Sequence, residues 1–238
     1  GGTIAVEAAA KSPSDGYTLL LGTLSTFCIA PSLYRNLGYH PVKSFAPISM
    51  VGTSPSVVVI NSSVPATTLR ELIELAKSRP GQLNFGSNGN GTIPHLAGVL
   101  FKSLTGVEIV HVPYKGVAAV TSDLLAGQIQ MAFVVSYGLE QHVRAGRLRV
   151  LAVAGSRRLG QLPEVPTAAE AGLPGFQTNT WFGLVAPQAT PPNVIQRLNA
   201  EVLRVLAAKD VRDTLSDQGL DAGETSAEQF AQFIASQI

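Results

Sequence analysis

The sequence predicts an α/β fold, with helix-flanked, mostly parallel sheets divided between two lobes. Three observations carry this expectation: short apolar runs rich in β-branched residues alternate with helical periodicities, tight hairpin signals are few, and clustered Pro, Ser and Gly break the chain twice. At 238 residues the chain exceeds the usual single-domain size. With 45% hydrophobic and 14% charged residues it has apolar surface for packed cores, which excludes a disordered or collagen-like chain.

In chain order, an amphipathic stretch from Ile4 to Lys11 precedes strands expected at Tyr17 to Gly22, Ile48 to Gly52 and Ser56 to Ile60. Leu69, Leu72, Ile73, Leu75 and Ala76 then keep one apolar helical face, as do Leu96, Val99, Leu100 and Leu104. Further strands are expected at Asn84 to Gly86, Ile109 to Val112, Met131 to Val135, Arg149 to Val153 and Phe182 to Ala186, with a helix running through Leu124 and Leu125. Pro191-Pro192 opens a helix through Leu206, and Ser226 caps a last one. The breaks at Ser62-Ser63-Val64-Pro65 and Leu173-Pro174-Gly175 divide the chain into a first lobe of residues 1–61 and 176–238 and an inserted second lobe of residues 62–175.

A net charge of +1 supplies neither the basic face that nucleic acid requires nor a strong steering field. Lone Cys28, in Thr-Phe-Cys-Ile-Ala, reads as a small buried hydrophobe, and no Cys/His spacing marks a zinc site, so no metal is expected. No apolar run approaches the roughly 20 residues of a membrane span, which argues against direct membrane insertion. Because Gly1-Gly2-Thr3 leads straight into the amphipathic stretch, a segment is expected to be missing upstream.

The segment Asn84-Phe85-Gly86-Ser87-Asn88-Gly89-Asn90-Gly91-Thr92 followed by Ile93-Pro94-His95-Leu96 carries the most chemistry: a strand, a Gly/Asn/Ser loop, then a helix. Glycine and asparagine accept positive φ, so amides can turn inward, and the helix adds its positive end; Ser87 and Thr92 add hydroxyls. The spacing matches no dinucleotide fingerprint and lacks the Lys-Ser/Thr of a phosphate loop, so a carboxylate fits better than a nucleotide and no cofactor is expected. The same residues also suit a plain turn with a helix cap.

A second strand-end loop, His111-Val112-Pro113-Tyr114-Lys115-Gly116, places Tyr114 and Lys115 where they can meet the same crevice, since ligands of open α/β sheets bind at the carboxyl ends of strands. Thr23 and Ser25, after the first strand, offer hydroxyls from the other lobe, and Trp181 is a candidate cleft wall that equally suits core packing. His95 reads as a packed imidazole, and His40, His111 and His142 share no catalytic spacing.

Taken together and in order, Asp15-Gly16-Tyr17-Thr18-Leu19-Leu20, Gly86-Ser87-Asn88-Gly89-Asn90-Gly91 with His95-Leu96, Val112-Pro113-Tyr114-Lys115-Gly116, Asp123-Leu124-Leu125-Ala126-Gly127 and Trp181-Phe182-Gly183-Leu184-Val185-Ala186-Pro187 resemble the Bug receptors. These are the TctC-like substrate-binding proteins of tripartite tricarboxylate transporters, and the similarity spans essentially the whole chain. The resemblance implies a two-lobed architecture of the type II periplasmic-binding-protein kind. It also implies a periplasmic receptor that closes on a small organic acid and delivers it to a membrane permease or a sensor. In that family carboxylate is held by backbone amides, hydroxyls and ordered water without a cofactor; Ser87 to Thr92 match the second-lobe grip and Thr23 to Ser25 a first-lobe wall. Three departures from the family pattern stand out: a first-lobe strand and Gly-rich loop expected ahead of Gly1 to Thr3, Val99 in place of a frequent Glu, and Gln130 in place of a frequent Asp. Competing expectations are a hydrolase with His95 as base and a loop serine as nucleophile, and a truncated interaction module. The polar groups at the loop are amide and hydroxyl donors without an activated nucleophile, which favours the receptor.

Overall fold

The computed structural model describes residues 2–238. Its elements are, in chain order, α1 (Thr3–Ala10), β1 (Leu20–Thr23), α2 (Ala30–Leu33), β2 (Phe45–Asn61), α3 (Leu69–Ser78), β3 (Asn84–Ser87), α4 (Ile93–Thr105), β4 (Val110–Pro113), α5 (Val117–Leu125), β5 (Met131–Val135), α6 (Glu140–Arg144), β6 (Leu148–Val153), β7 (Asn179–Pro187), α7 (Pro192–Ala207), α8 (Lys209–Asp217), β8 (Asp221–Ala222) and α9 (Ala227–Ser236). A wide helical turn, Ser25–Ile29, leads into α2.

Two compact units form, one from Gly2–Thr53 with Thr180–Ile238 and the other from Ser54–Asn179. The chain therefore passes between them at Thr53/Ser54 and Asn179/Thr180, where the punctuation of the sequence had placed the crossings near residues 61 and 175. The reason lies in β2. The runs Ile48 to Gly52 and Ser56 to Ile60, read separately from sequence, are parts of one 17-residue strand. Its partners change on either side of Pro55, which has no N–H to give a ladder: Gly52 and Thr53 pair with β8, whereas Ser56 to Asn61 pair with β5 and β6.

In the unit Ser54–Asn179 the strand order is β4-β3-β5-β2-β6. Strands β4, β3 and β5 are parallel, with Gly86 beside both Val112 and Ala132. Strand β2 enters antiparallel to β5 and β6, with Ser56 opposite Val135 and Val57 opposite Val153. The sheet is consequently mixed, because one strand arrives from the opposite direction. Alternation along β2 sends Val58 and Ile60 into a core with Phe85, Phe101, Phe133 and Phe176, and Val57 and Val59 into a second core with Val120, Leu124, Ala132 and Val134. Helix α3 buries Leu69, Leu72 and Ala76, and its N-cap Thr68 accepts from the Glu71 amide. Helix α4 lies so close to β3 that a Cβ on Gly98 would come within 2.1 Å of Phe85 Cε2.

In the unit Gly2–Thr53 with Thr180–Ile238, β1 pairs antiparallel with β7, β7 adjoins β2, and β2 pairs antiparallel with β8. Its core gathers Phe27, Phe45, Met50, Trp181, Val185 and Phe230. Cys28 lies in the same core, and burial pushes its thiol up to about 11, so it stays protonated and inert at neutral pH. Helix α7 opens on Pro192, and α9 opens on a reciprocal Ser226–Gln229 capping box.

Phe133 is fully buried, with its ring 5.6, 5.3 and 5.8 Å from those of Phe85, Phe101 and Phe176. Phe133→Ala is expected to cost about 3–5 kcal/mol, read as a lower midpoint of urea unfolding.

Candidate functional site

Parallel pairing of β3, β4 and β5 brings their carboxyl ends to one edge, which is where the chain leaves β3 at Ser87. Gly86 permits this packing, since a Cβ there would lie 2.4 Å from Ile129 Cδ1 and 3.0 Å from Val120 Cγ1. The loop then turns through Gly89 and Gly91, at φ 127° and 71°, conformations that disfavour a side chain. Thr92 follows in an extended conformation as the N-cap of α4, with Pro94 in the first turn.

A hydroxyl organises this loop. Ser87 is completely buried; its Oγ accepts from the Gly89 amide at 3.2 Å, donates to the Gly89 carbonyl at 3.1 Å and meets His111 Nε2 at 2.6 Å. With the serine proton given to Gly89, the imidazole of His111 is the donor of that short bond. Thr92 Oγ1 also donates to the Gly89 carbonyl, at 2.7 Å, and so does not cap α4. The Gly91 amide donates to His95 Nδ1 at 3.1 Å. Donors expected of Ser87, Gly89, Gly91 and Thr92 are thus engaged inside the loop. Among the described residues no hydrogen bond engages the main-chain N–H of Asn88 or Asn90, and Asn88 Oδ1 is buried without a partner.

Behind the loop three rings stack, Phe85 on His111 at 4.9 Å and His111 on His95 at 4.2 Å. His111 is the group that sequence reasoning missed. It stands 24 residues from Ser87 with no motif spacing, and only the register of β3 against β4, Phe85 beside His111, brings it there. The hydrolase expectation assigned the base to His95, yet the imidazole touching the loop serine is His111. The serine is inaccessible, being fully buried.

Tyr114 adjoins the loop through its amide, which donates to the Ser87 carbonyl at 2.8 Å. Its hydroxyl donates to Asp123 at 2.7 Å, and burial together with that bond raises the phenol to about 12. Lys115 follows, exposed. Thr23, Ser25 and Trp181 belong to the other unit. Thr23 ends β1 and its amide donates to Thr26 Oγ1 at 3.2 Å, while Ser25 is half-buried in the wide turn. Trp181 is 3% exposed and packs edge-on against Phe27, Phe230 and Phe233, so it serves the core of its unit rather than a cleft wall; β7 turns the indole inward.

Both departures noted on α4 and before β5 fall away from the loop. Gln130 accepts from the Asn84 amide at 2.9 Å, at the opposite end of β3, and Val99 is 47% exposed on α4. A cavity of about 490 Å³ in this unit opens beside β6, lined by Thr67, Arg70, Arg149 and Glu164 among others, and shares no residue with the loop.

Burial lowers the pKa of both His95 and His111 below the ordinary 6.5, with His95 adding to the effect on His111. The unfolded chain therefore takes up these protons first, and the stability present above 6.5 declines as pH falls through the lowered folded values. NMR titration should place both imidazoles below 6.5. His95→Phe, which keeps a stacked ring, should show a shallower loss of melting temperature between about pH 7 and 5.

The profile of the tripartite tricarboxylate transporter family receptor matches residues 1–238. Protein BugT of Bordetella pertussis is 37% identical over 239 residues, covering 100% of this chain and 73% of that protein. A solved R. palustris protein, Rpa4515 with adipate, is 34% identical with a TM-score of 0.93, covering 100% of this chain and 79% of that one. MatC from Rhodopseudomonas palustris with bound malate is 32% identical with a TM-score of 0.90, covering 100% and 82%. The matched family is one of receptors rather than enzymes, and with the whole chain matched, this protein belongs to the tripartite tricarboxylate transporter family of receptors.

Proposed function

We propose that this protein is a periplasmic receptor that captures a small organic acid at the Asn88 to Thr92 loop and delivers it to a tripartite tricarboxylate-type permease or to a sensor. The observation that carries the reading is the loop itself: it leaves the N–H groups of Asn88 and Asn90 unspent beside the N-terminus of a 13-residue helix whose N-cap hydroxyl points elsewhere. An ionised carboxylate leaving water must recover several hydrogen bonds, and fixed amides at the positive end of a helix supply them. Acids bound to the two solved relatives, adipate and malate, agree in chemical class.

Rigidity favours capture as well. Ser87, His95 and His111 hold the loop's own polar groups, so less conformational entropy is lost when an anion binds. Tyr114 is occupied by Asp123, which makes it a support for the loop rather than a donor to the acid. Exposed Lys115 contributes long-range attraction that solvent screens.

Thermal-shift measurements over a panel of organic acids should raise the melting temperature with at least one of them. With that acid, calorimetry on Gly89→Val should show at least about a tenfold loss of affinity, or ~1.4 kcal/mol, because a β-branched residue cannot hold the loop's positive φ. Lys115→Ala should change affinity by less than about threefold. Unchanged binding by Gly89→Val would reduce the loop to a turn.

A further inference from the structure

Among the described residues, His95 is the titratable side chain bonded to the backbone of the loop: its Nδ1 accepts the Gly91 amide at 3.1 Å. Gly91 is itself buried, and in the chain it stands between Asn90, whose N–H is unspent, and Thr92, the N-cap of α4. An imidazole accepts at Nδ1 only while neutral, because both ring nitrogens of the cation carry protons. The Gly91 bond therefore requires an uncharged His95, and protonation leaves the Gly91 amide without its acceptor. His111 behaves differently. Its Nε2–H already points at Ser87 Oγ, at 2.6 Å, so a proton added at Nδ1 leaves that bond in place.

Few other charges bear on this equilibrium. Helix α4 packs on β3, β4 and β5; β3 and β5 carry no titratable residue, and β4 carries only His111. Tyr114, just past β4, is committed to Asp123 of α5, and Lys115 is exposed. On α4 itself Lys102 sits in the last turn, paired with Glu108 at 3.2 Å, and the charged residues of α3, Arg70, Glu71, Glu74 and Lys77, are all exposed. His95 and His111 stack at 4.2 Å, so a charge on one opposes a charge on the other. Among the described residues neither imidazole has a carboxylate partner. Without an acid, a proton on His95 thus deprives a buried amide of its acceptor and brings in a charge with no counterion. A carboxylate at the loop reverses both effects, since it accepts the released N–H and opposes the charge.

We propose that His95 links acid capture to protonation: a proton from solvent adds to Nδ1, the imidazolium releases the Gly91 amide to the bound carboxylate, and anion and proton enter together. This rests on the carboxylate reading above. The half-buried ring leaves His95 open to exchange with solvent. Such coupling is reciprocal, so the acid strengthens proton binding at His95 by the factor by which the proton strengthens binding of the acid. Affinity accordingly rises as pH falls toward about 6 while the acid stays ionised, opposite in sense to the stability of the acid-free protein.

Calorimetry with lactate, malate, tartrate and benzoate between about pH 8 and 6, where their carboxyl groups stay ionised, tests this. For at least one acid the Kd should fall about threefold or more across that range, with net proton uptake read from the dependence of the heat on the buffer. NMR should place the His95 midpoint about half a pH unit or more higher with that acid than without it. His95→Phe keeps a stacked ring but accepts nothing from Gly91, so it should bind about twofold or more tighter than the parent at about pH 8, with no dependence on pH. Weaker binding by that variant would mean that His95 merely supports the loop, and would overturn the link. If His95→Phe does not fold, His95→Gln, whose Oε1 keeps the Gly91 bond at every pH, should hold the parent's weaker affinity of about pH 8 throughout. Parent affinities that are flat with pH yet lost on Gly89→Val would overturn the proton link and leave the carboxylate reading standing, as would a pH dependence that survives in both His95 variants. Failure of all four acids to bind at any pH would count against the two together.

Discussion

Strand β2 is the element on which the rest of the structure is assembled. Among the described residues, all four hydrophobic clusters contain residues from it: Phe45 and Met50 in one, Ile48 in another, and Val57 with Val59 or Val58 with Ile60 in the remaining two. Because side chains alternate across a strand, a slip of one residue would send Val57 and Val59 into the core that Val58 and Ile60 fill, and the reverse, mispacking both cores at once. Its register against β5, five consecutive pairs from Ser56–Val135 to Ile60–Met131, is therefore strongly specified. That register also sets where β5 ends, and so where the polar edge of the unit begins.

From that edge the loop after β3 inherits its position, but its shape depends on polar chemistry. Ser87 Oγ, wholly buried, ties together the amide and carbonyl of Gly89 and the imidazole of His111, and the stacked His95 takes the Gly91 amide. Apart from the bond from His111, each of these uses a donor that the sequence alone would assign to a ligand. Their effect is to hold Asn88 and Asn90 in place with their own N–H groups unspent. The anion-binding capacity of such a loop thus depends less on how many donors it contains than on which of them its folded neighbours have already engaged. Neutral imidazoles suit this arrangement, since His95 Nδ1 must remain an acceptor for the Gly91 amide.

Much of the fold was legible in the residues. Met131 to Val135 is a strand with the expected bounds, the periodic face of Leu69 to Ala76 is a helix buried along that face, and Pro191-Pro192 and Ser226 mark helix starts as their local chemistry requires. What escaped were features with no local signature. The continuity of β2 through Pro47 and Pro55 was hidden because proline lowers strand expectation wherever it stands, although the strand tolerates it where ladder partners change. Helix α8, with a mean composition too polar for a core, and the short β8 that pairs only with Gly52 and Thr53 likewise give little periodic signal.

At the site the division follows the same physics. By itself the sequence determined that a strand, a glycine-rich turn and a helix N-terminus occur in succession at residues 84 to 105, because backbone preferences of Gly, Asn and Pro act over a few residues. Tertiary structure alone decided that His111 meets Ser87, that Tyr114 is committed to Asp123, and that Trp181 faces a core of phenylalanines. Those outcomes depend on strand register and helix packing between residues far apart in the chain. Hydrogen bonds and ring contacts reach only a few ångströms, so which donors remain unspent is settled only once the folded chain has brought the partners together.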